Sequence, residues 1–147
     1  SWRGPMTSKA LYQLISLTEW GKLDYLIVDT PPGTGDIHLS LLQNYLVSGV
    51  IMVTTPQKIS AIDVQRAISL YKKFAVPIIG IIENMSYYTT TNSSEKINIF
   101  PGDSGHQISI NHSIPLLAKI PLNPGLAKAC DAGEALDKYF NLLDFKV

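Results

Sequence analysis

The chain has 147 residues, of which 46% are hydrophobic and 16% charged, so it is long enough to bury the core of one domain. Its 12 basic and 12 acidic residues balance, which gives no overall electrostatic reason to bind nucleic acid or an anionic membrane. No apolar run approaches the roughly 18 residues of a membrane span, and the single cysteine excludes an internal disulfide. One thiol fits a reducing compartment, and we expect an intracellular protein, either cytoplasmic or mitochondrial.

Helical and strand-like patterns alternate along the chain, which predicts an α/β fold with a mostly parallel sheet flanked by helices. Apolar residues at helical spacing predict a first helix over residues 8–18. The continuous apolar run 25–28 is typical of a strand buried on both faces. Residues 36–46 then predict a second helix.

The centre of the chain continues the alternation of strands and helices. Residues 50–54 and 76–82 predict two further strands. Between them, Ser60 and Asp63 resemble a capping box that opens a helix. Residues 86–106 are polar and predict a loop or a small hairpin insertion.

The last third of the chain begins with a predicted short helix over residues 104–112, followed by a fourth strand at 116–120. Asn123 followed by Pro124 is the pattern of an N-cap with proline in the first helical position. Residues 134–145 predict a helical tail.

The segment most informative about chemistry is Asp29-Thr30-Pro31-Pro32-Gly33-Thr34-Gly35-Asp36, directly after the first predicted strand. Ligands of open α/β sheets bind beyond the carboxyl ends of the strands, where Asp29 can hold Mg²⁺ directly or through water. Gly33 and Gly35 lack a Cβ atom, so their N–H groups can closely approach a phosphate or a nucleophilic water. The segment therefore predicts a switch loop that senses a terminal phosphate.

A phosphate-binding loop of the G-x-x-x-x-G-K-[ST] type is missing from the sequence. The only Gly-Lys pair is Gly21-Lys22, and the position that requires the first glycine holds Ser16. The lysine and hydroxyl that neutralise phosphate and bind Mg²⁺ are then lacking, so we expect this chain alone to hydrolyse no ATP. Because the chain also starts at Ser1, we expect it to be a piece of a longer protein.

Several motifs occur in a characteristic order. They are Trp2-Arg3-Gly4-Pro5-Met6, Ser8-Lys9-Ala10-Leu11, Trp20-Gly21-Lys22-Leu23-Asp24-Tyr25, the segment from Asp29 to Asp36, Val53-Thr54-Thr55-Pro56-Gln57, Glu83-Asn84-Met85-Ser86, Ile120-Pro121-Leu122 and Asp131-Ala132-Gly133. In this order they resemble the Mrp/Nbp family of P-loop ATPases, relatives of MinD and ParA. The resemblance spans nearly the whole chain.

The resemblance implies a carrier that uses ATP and Mg²⁺ to assemble or transfer iron–sulfur clusters, with iron–sulfur apo-proteins or assembly factors as partners. It implies that residues 1–147 are the C-terminal portion of one ATPase domain, whose phosphate-binding loop lies upstream or on another chain. In the family that loop follows a central strand of the sheet. Without this strand, open strand edges would favour self-association, and we expect a homodimer or a larger assembly.

The same resemblance assigns roles to individual residues. Asp29 matches the Walker B aspartate and Gly33 the switch glycine. Asn84 falls where relatives contact adenine, and its amide offers a donor and an acceptor together; a strand-end cap is the alternative role. Pro121 and Leu122 match the loop that walls the base, although simple packing would place the same residues there.

One family motif is replaced. After Asn84 the family usually has Cys-x-x-Cys, whose thiolates bridge a cluster across a dimer, and the corresponding positions here hold Thr90 and Ser93. Hydroxyl groups are hard, protonated and poor substitutes for thiolates, so we expect this chain to bind no cluster through that loop.

The remaining candidate metal ligands do not form a site. Cys130 is expected to be a small core residue. The three histidines, His38, His106 and His112, lack ligand spacing and are expected to be structural or solvated.

Two other functions stay open. A MinD- or ParA-like positioning ATPase would be favoured by a basic DNA-binding face or an amphipathic membrane tail, and residues 136–147 mix both charges. A non-catalytic interaction module with a vestigial nucleotide fold would explain the missing phosphate-binding loop. A K-G-G-x-G-K-[ST] motif encoded upstream would favour the ATPase instead.

Overall fold

A four-stranded sheet forms the centre of the structure, a computed structural model that describes residues 4–89, 95–142 and 144–145. Its strands are β1 (Val50–Thr54), β2 (Ile78–Glu83), β5 (Leu116–Lys119) and β6 (Asp144–Phe145), in the order β1-β2-β5-β6. The first three are parallel, and β6 runs antiparallel to β5. The short strands β3 (Tyr88–Thr89) and β4 (Lys96–Ile97) pair in a separate hairpin.

Five α-helices accompany the sheet in the described residues. They are α1 (Gly4–Ser16), α2 (Asp36–Asn44), α3 (Lys58–Lys73), α4 (Ser104–His112) and α5 (Pro124–Ala132), followed by a 3₁₀ helix at Asp137–Leu142. Helices α3 and α4 pack against each other and against β2. Ile68 of α3, Ile81 of β2 and Ile108 of α4 are fully buried, and burial of each contributes about 2 kcal/mol.

The predicted α/β class with a mostly parallel sheet is confirmed. None of the helices in the described ranges combines the length and hydrophobicity needed to cross a membrane.

Strand register aligns three polar side chains at the carboxyl end of the sheet. Thr54 of β1 pairs with Glu83 of β2, and Glu83 pairs with Lys119 of β5. The loops that leave these strands therefore start side by side, as is usual for a ligand site in a parallel sheet.

The predicted start of α5 is confirmed by its cap geometry. The Asn123 side chain accepts a hydrogen bond from the Leu126 N–H at 2.9 Å, and Pro124 occupies the first turn. Gly133 ends the helix at φ 66°, in the left-handed region that glycine adopts without a steric penalty.

The strand predicted at residues 25–28 does not form. Tyr25 and Ile27 are 84% and 90% exposed, although the apolar run predicted burial on both faces. No backbone hydrogen bond joins residues 25–28 to another segment within the described chain. A β-strand is held by backbone hydrogen bonds to a neighbouring strand, and an apolar run in the sequence does not by itself provide that neighbour.

Two further sequence predictions were wrong in detail. Helix α3 begins at Lys58 with Gln57 as its N-cap, so Ser60 lies inside the first turn, where its hydroxyl is 2.7 Å from that of Thr55. The predicted helical tail over 134–145 is instead the 3₁₀ helix followed by β6, because backbone pairing with β5 decides its conformation. Of the two alternatives predicted for 86–106, a loop or a small hairpin, the described residues form the hairpin of β3 and β4.

Strand β1 is an edge of the described sheet. Its Ile51 and Val53 side chains, which alternate with the buried Met52 and Thr54, are 45% and 58% exposed. An unpaired strand edge and an exposed apolar face both favour contact with another chain, so self-association remains a prediction.

Candidate nucleotide and metal site

The carboxyl edge of the sheet brings together three of the predicted site residues: Asn84, Pro121 and Leu122. The Asn84 N–H donates to the Thr54 carbonyl oxygen at 2.7 Å, which fixes the first residue after β2 against the end of β1. On the other side, the Leu122 N–H donates to the Tyr87 carbonyl oxygen at 2.7 Å. The loops after β2 and β5 are thereby joined, with Asn84 on one and Pro121 and Leu122 on the other.

The Asn84 side chain is half-buried and oriented by its own turn. Its Oδ1 accepts a hydrogen bond from the Met85 N–H at 2.9 Å, and Met85 has a left-handed φ of 54°. A carbonyl oxygen has two lone pairs, so Oδ1 can still accept a second hydrogen bond while Nδ2 donates. Pro121 is buried and Leu122 half-buried, so this part of the edge is apolar.

Beneath Asn84 lies a buried carboxylate that sequence reasoning missed. Glu83 is 1% exposed; its Oε1 is 3.2 Å from the Lys119 Nζ, and its Oε2 accepts from the Gly105 N–H at 2.7 Å. The Ser86 hydroxyl lies 2.9 Å from Oε1. This one side chain therefore links β2, β5, the turn after Asn84 and the first turn of α4. The signal was available, because an acidic residue that ends an apolar strand needs partners if it is buried.

Asp29 and Gly33 lie on a separate loop between residues 25 and 36, which precedes α2. The Asp29 side chain is exposed, and Gly33 has a left-handed φ of 93° that requires glycine. A Cβ atom on Gly33 or Gly35 would meet nothing within 4 Å, so the space beside these residues is open. Gly35 is the N-cap of α2, and its carbonyl oxygen accepts from the Leu39 N–H at 3.2 Å.

Two buried aromatic side chains hold the start of this loop. The Nε2 of His38, on α2, is 2.9 Å from the Pro31 carbonyl oxygen, and its Nδ1 is 3.2 Å from the Tyr71 hydroxyl on α3. Burial raises the pKa of Tyr71 above its ordinary value of 10.0, and a hydrogen bond with the Thr30 side chain partly opposes this. Tyr71 is therefore neutral at physiological pH and can donate a hydrogen bond.

The two groups of predicted site residues lie on separate loops. Within the described part of the chain, no hydrogen bond or ion pair joins Asp29 to Asn84, and no group of three or more His, Cys, Asp and Glu could hold a metal ion. A lone carboxylate suits Mg²⁺, which keeps several waters and takes phosphate oxygens as ligands. It does not suit an iron–sulfur cluster, which requires several thiolates.

The other predicted ligand positions have mixed outcomes. Thr90 and Ser93 lie outside the described residues. Cys130 is exposed, so its predicted place in the core was wrong: the inward position belongs to Ala129, and the next helical residue points about 100° away. Of the three histidines, His38 has the predicted structural role, buried among hydrogen-bond partners, His106 is exposed, and His112 is half-buried.

Comparison with solved structures identifies the class of protein. The nucleotide-binding protein of Archaeoglobus fulgidus, solved in complex with ADP, superposes with a TM-score of 0.78 and 30% identity over 89% of this chain and 54% of that one. MinD of Pyrococcus horikoshii, solved with Mg-ADP, superposes at 0.60 with 22% identity, over 95% of this chain and 50% of that one, and shows the fold alone. The fold is that of the MinD-like P-loop NTPases.

Sequence comparison identifies the particular family. Residues 1–141 match the ParA family model described as NUBPL iron-transfer P-loop NTPase. An iron–sulfur cluster carrier protein of Rickettsia bellii is 58% identical over 130 residues, which are 88% of this chain and 37% of that protein. The chain belongs to this family of iron-transfer P-loop NTPases. It spans well under half the length of the Rickettsia relative.

Proposed function

We propose that this chain is the C-terminal, adenine- and magnesium-binding portion of an ATP-binding ATPase that acts in iron–sulfur cluster assembly or transfer. The observation that carries the proposal is the convergence of Asn84, Pro121 and Leu122 on the carboxyl edge of the sheet in a chain of this family. Relatives are named iron–sulfur cluster carriers, and a structural neighbour was solved with ADP.

The adenine ring would lie between the loops after β2 and β5. The Asn84 amide presents a donor and an acceptor in one plane, which matches the N6 and N7 edge of adenine. Its orientation by Met85 reduces the entropy lost on binding, and the buried Pro121 with Leu122 would cover the apolar face of the base.

The phosphates and Mg²⁺ would meet the loop that contains Asp29 and Gly33. Bound Mg²⁺ would neutralise phosphate charge, and Asp29 would hold it directly or through water. The N–H of Gly33 would sense the terminal phosphate. The lysine-bearing phosphate loop would come from upstream residues or from a partner chain, so this chain alone would be inactive.

Calorimetric titration with ADP, with and without Mg²⁺, tests the nucleotide site. We expect tight binding only when the phosphate-binding segment is joined to this chain. In that longer protein, D29N should reduce the affinity gained from Mg²⁺ by about 10- to 100-fold, because the metal loses a carboxylate partner.

The matched control for this titration is D24N, which removes an exposed carboxylate from the same segment and should bind like the unmodified protein. Equal Mg²⁺ dependence of D29N and D24N would refute the metal role of Asp29. Failure of the longer protein to bind ADP at all would refute the proposed function.

The proposed carrier differs from its family in its cluster loop. Because Thr90 and Ser93 replace the usual cysteines, we expect this chain to assist cluster assembly through partner proteins rather than by its own thiolates. Anaerobic reconstitution with iron and sulfide should leave no bridging [4Fe–4S] cluster in the absorption spectrum. Converting both positions to cysteine is the positive control, and a stoichiometric cluster on the unmodified chain would contradict the loss of the ligands.

The open edge of β1 favours a second candidate, a protein-interaction module. Ile51 and Val53 are exposed there, and a homodimer or a related heterodimer would cover them. If the longer protein binds no nucleotide but still associates through this edge, the interaction module is the better description.

A further inference from the structure

The buried contacts around His38 form a chain of hydrogen bonds with one consistent direction. A carbonyl oxygen only accepts, so the 2.9 Å contact with Pro31 requires the His38 Nε2 to carry a proton. In the neutral imidazole, Nδ1 then accepts from the Tyr71 hydroxyl at 3.2 Å.

This chain of contacts runs from α3 through α2 to the loop. Thr30 and Pro31 directly follow Asp29, while His38 belongs to α2 and Tyr71 to α3. His38 is 4% exposed and Tyr71 3% exposed, and their rings meet edge to face with centroids 6.2 Å apart. The loop is otherwise exposed and lacks ladder hydrogen bonds, so these contacts attach it to the helices.

We propose that His38 and Tyr71 are positioning residues that fix the backbone of the Asp29 loop for binding of a magnesium-bound nucleotide phosphate. Neither side chain touches the ligand. They hold the carbonyl group of Pro31, two residues after Asp29, so that the Asp29 carboxylate meets the metal without a further loss of loop freedom. The metal role of Asp29 comes from the proposed function, on which this inference rests.

The test uses the longer protein that contains the phosphate-binding segment, with ADP titrated in the presence and absence of Mg²⁺. H38A and Y71F should each reduce the gain in ADP affinity that Mg²⁺ provides by about tenfold, since H38A removes the hydrogen bond to Pro31 and Y71F removes the one that orients His38. ADP affinity without Mg²⁺ should stay unchanged, because the adenine site lies on other loops. H38Q should recover most of the loss, since an amide can donate to Pro31 and accept from Tyr71.

The I68V variant is a control that distinguishes a loss of stability from a loss of loop positioning. This variant trims a fully buried side chain on α3, the helix that carries Tyr71, but changes no contact to the loop. It should lower the melting temperature and leave the Mg²⁺ dependence intact. If I68V and H38A alter the Mg²⁺ dependence equally, or if H38A leaves it unchanged, the positioning role is refuted.

A second measurement needs no nucleotide. Backbone amide order parameters at Gly33 and Gly35 in the nucleotide-free protein should fall in H38A and Y71F, and they should remain at the unmodified value in I68V. Unchanged order parameters would overturn the inference even if ADP binding failed. Absence of Mg²⁺ dependence in the unmodified protein, together with a loosened loop in H38A, would instead refute only the proposed function.

Discussion

Replacement of Glu83 by alanine is expected to lower the free energy of unfolding by about 3–5 kcal/mol. The substitution removes the acceptor of the buried Gly105 N–H and the partner of the Lys119 ammonium group, while the Ser86 hydroxyl keeps its hydrogen bond to the Glu83 carbonyl oxygen at 2.7 Å. It also leaves a cavity at a position with 1% exposure. Because small domains are stable by only about 5–15 kcal/mol, we expect a large shift in the urea midpoint followed by circular dichroism.

The matched control for Glu83 is Glu134, whose carboxylate pairs with Lys138 at 3.0 Å on the surface. E134A should change stability by no more than about 0.5 kcal/mol, since both partners are solvated. E83Q keeps the shape but loses the charge, and we expect an intermediate effect. A loss below about 1 kcal/mol for E83A would show that water replaces the missing carboxylate and that the network adds little.

Replacement of Gly102 by alanine is expected to cost about 3–5 kcal/mol, for a steric reason rather than an electrostatic one. Gly102 has φ 111°, which L-residues rarely adopt, and a Cβ atom there would lie 2.3 Å from the Pro56 carbonyl oxygen. That oxygen cannot easily move, because it accepts from the Ser104 N–H at 3.2 Å and lies 2.8 Å from the Ser104 hydroxyl. In G102A we expect the loop after β1 to separate from the start of α4.

Comparison of the thermal unfolding of G102A and G133A separates the free-energy cost of this steric clash from the cost of the positive φ. Gly133 also has a positive φ, 66°, but a Cβ atom there would meet nothing within 4 Å. G133A should therefore cost only about 1 kcal/mol, the penalty of the left-handed conformation. Equal effects of the two substitutions would mean that the loop at Gly102 relaxes away from Pro56.

Glu83 and Gly102 act on the same part of the molecule. Glu83 holds the start of α4 through Gly105, and Gly102 allows the preceding loop to approach Pro56. Because Asn84 directly follows Glu83, loosening of either contact is expected to disturb the adenine side of the proposed site before the loop at Asp29.

The sequence by itself determined those elements whose residue patterns involve only neighbours along the chain. The apolar runs of β1 and β5 and the Asn123-Pro124 cap of α5 depend on neighbouring residues, and the structure has each of them. The motif from Asp29 to Asp36 likewise predicted a loop, and the structure has one between residues 25 and 36. The family could be predicted for the same reason, since its motifs are short and occur in order along the chain.

Only the tertiary structure decided the features that depend on distant partners. Residues 25–28 have a strand-like sequence but no ladder partner in the described chain, whereas the tail at Asp144–Phe145 forms a strand because β5 is beside it. The contacts of the buried Glu83 and the hydrogen bonds from Tyr71 through His38 to Pro31 join residues from separate elements. Hydrogen bonds of this kind form across the fold, so no local pattern of residues specifies them.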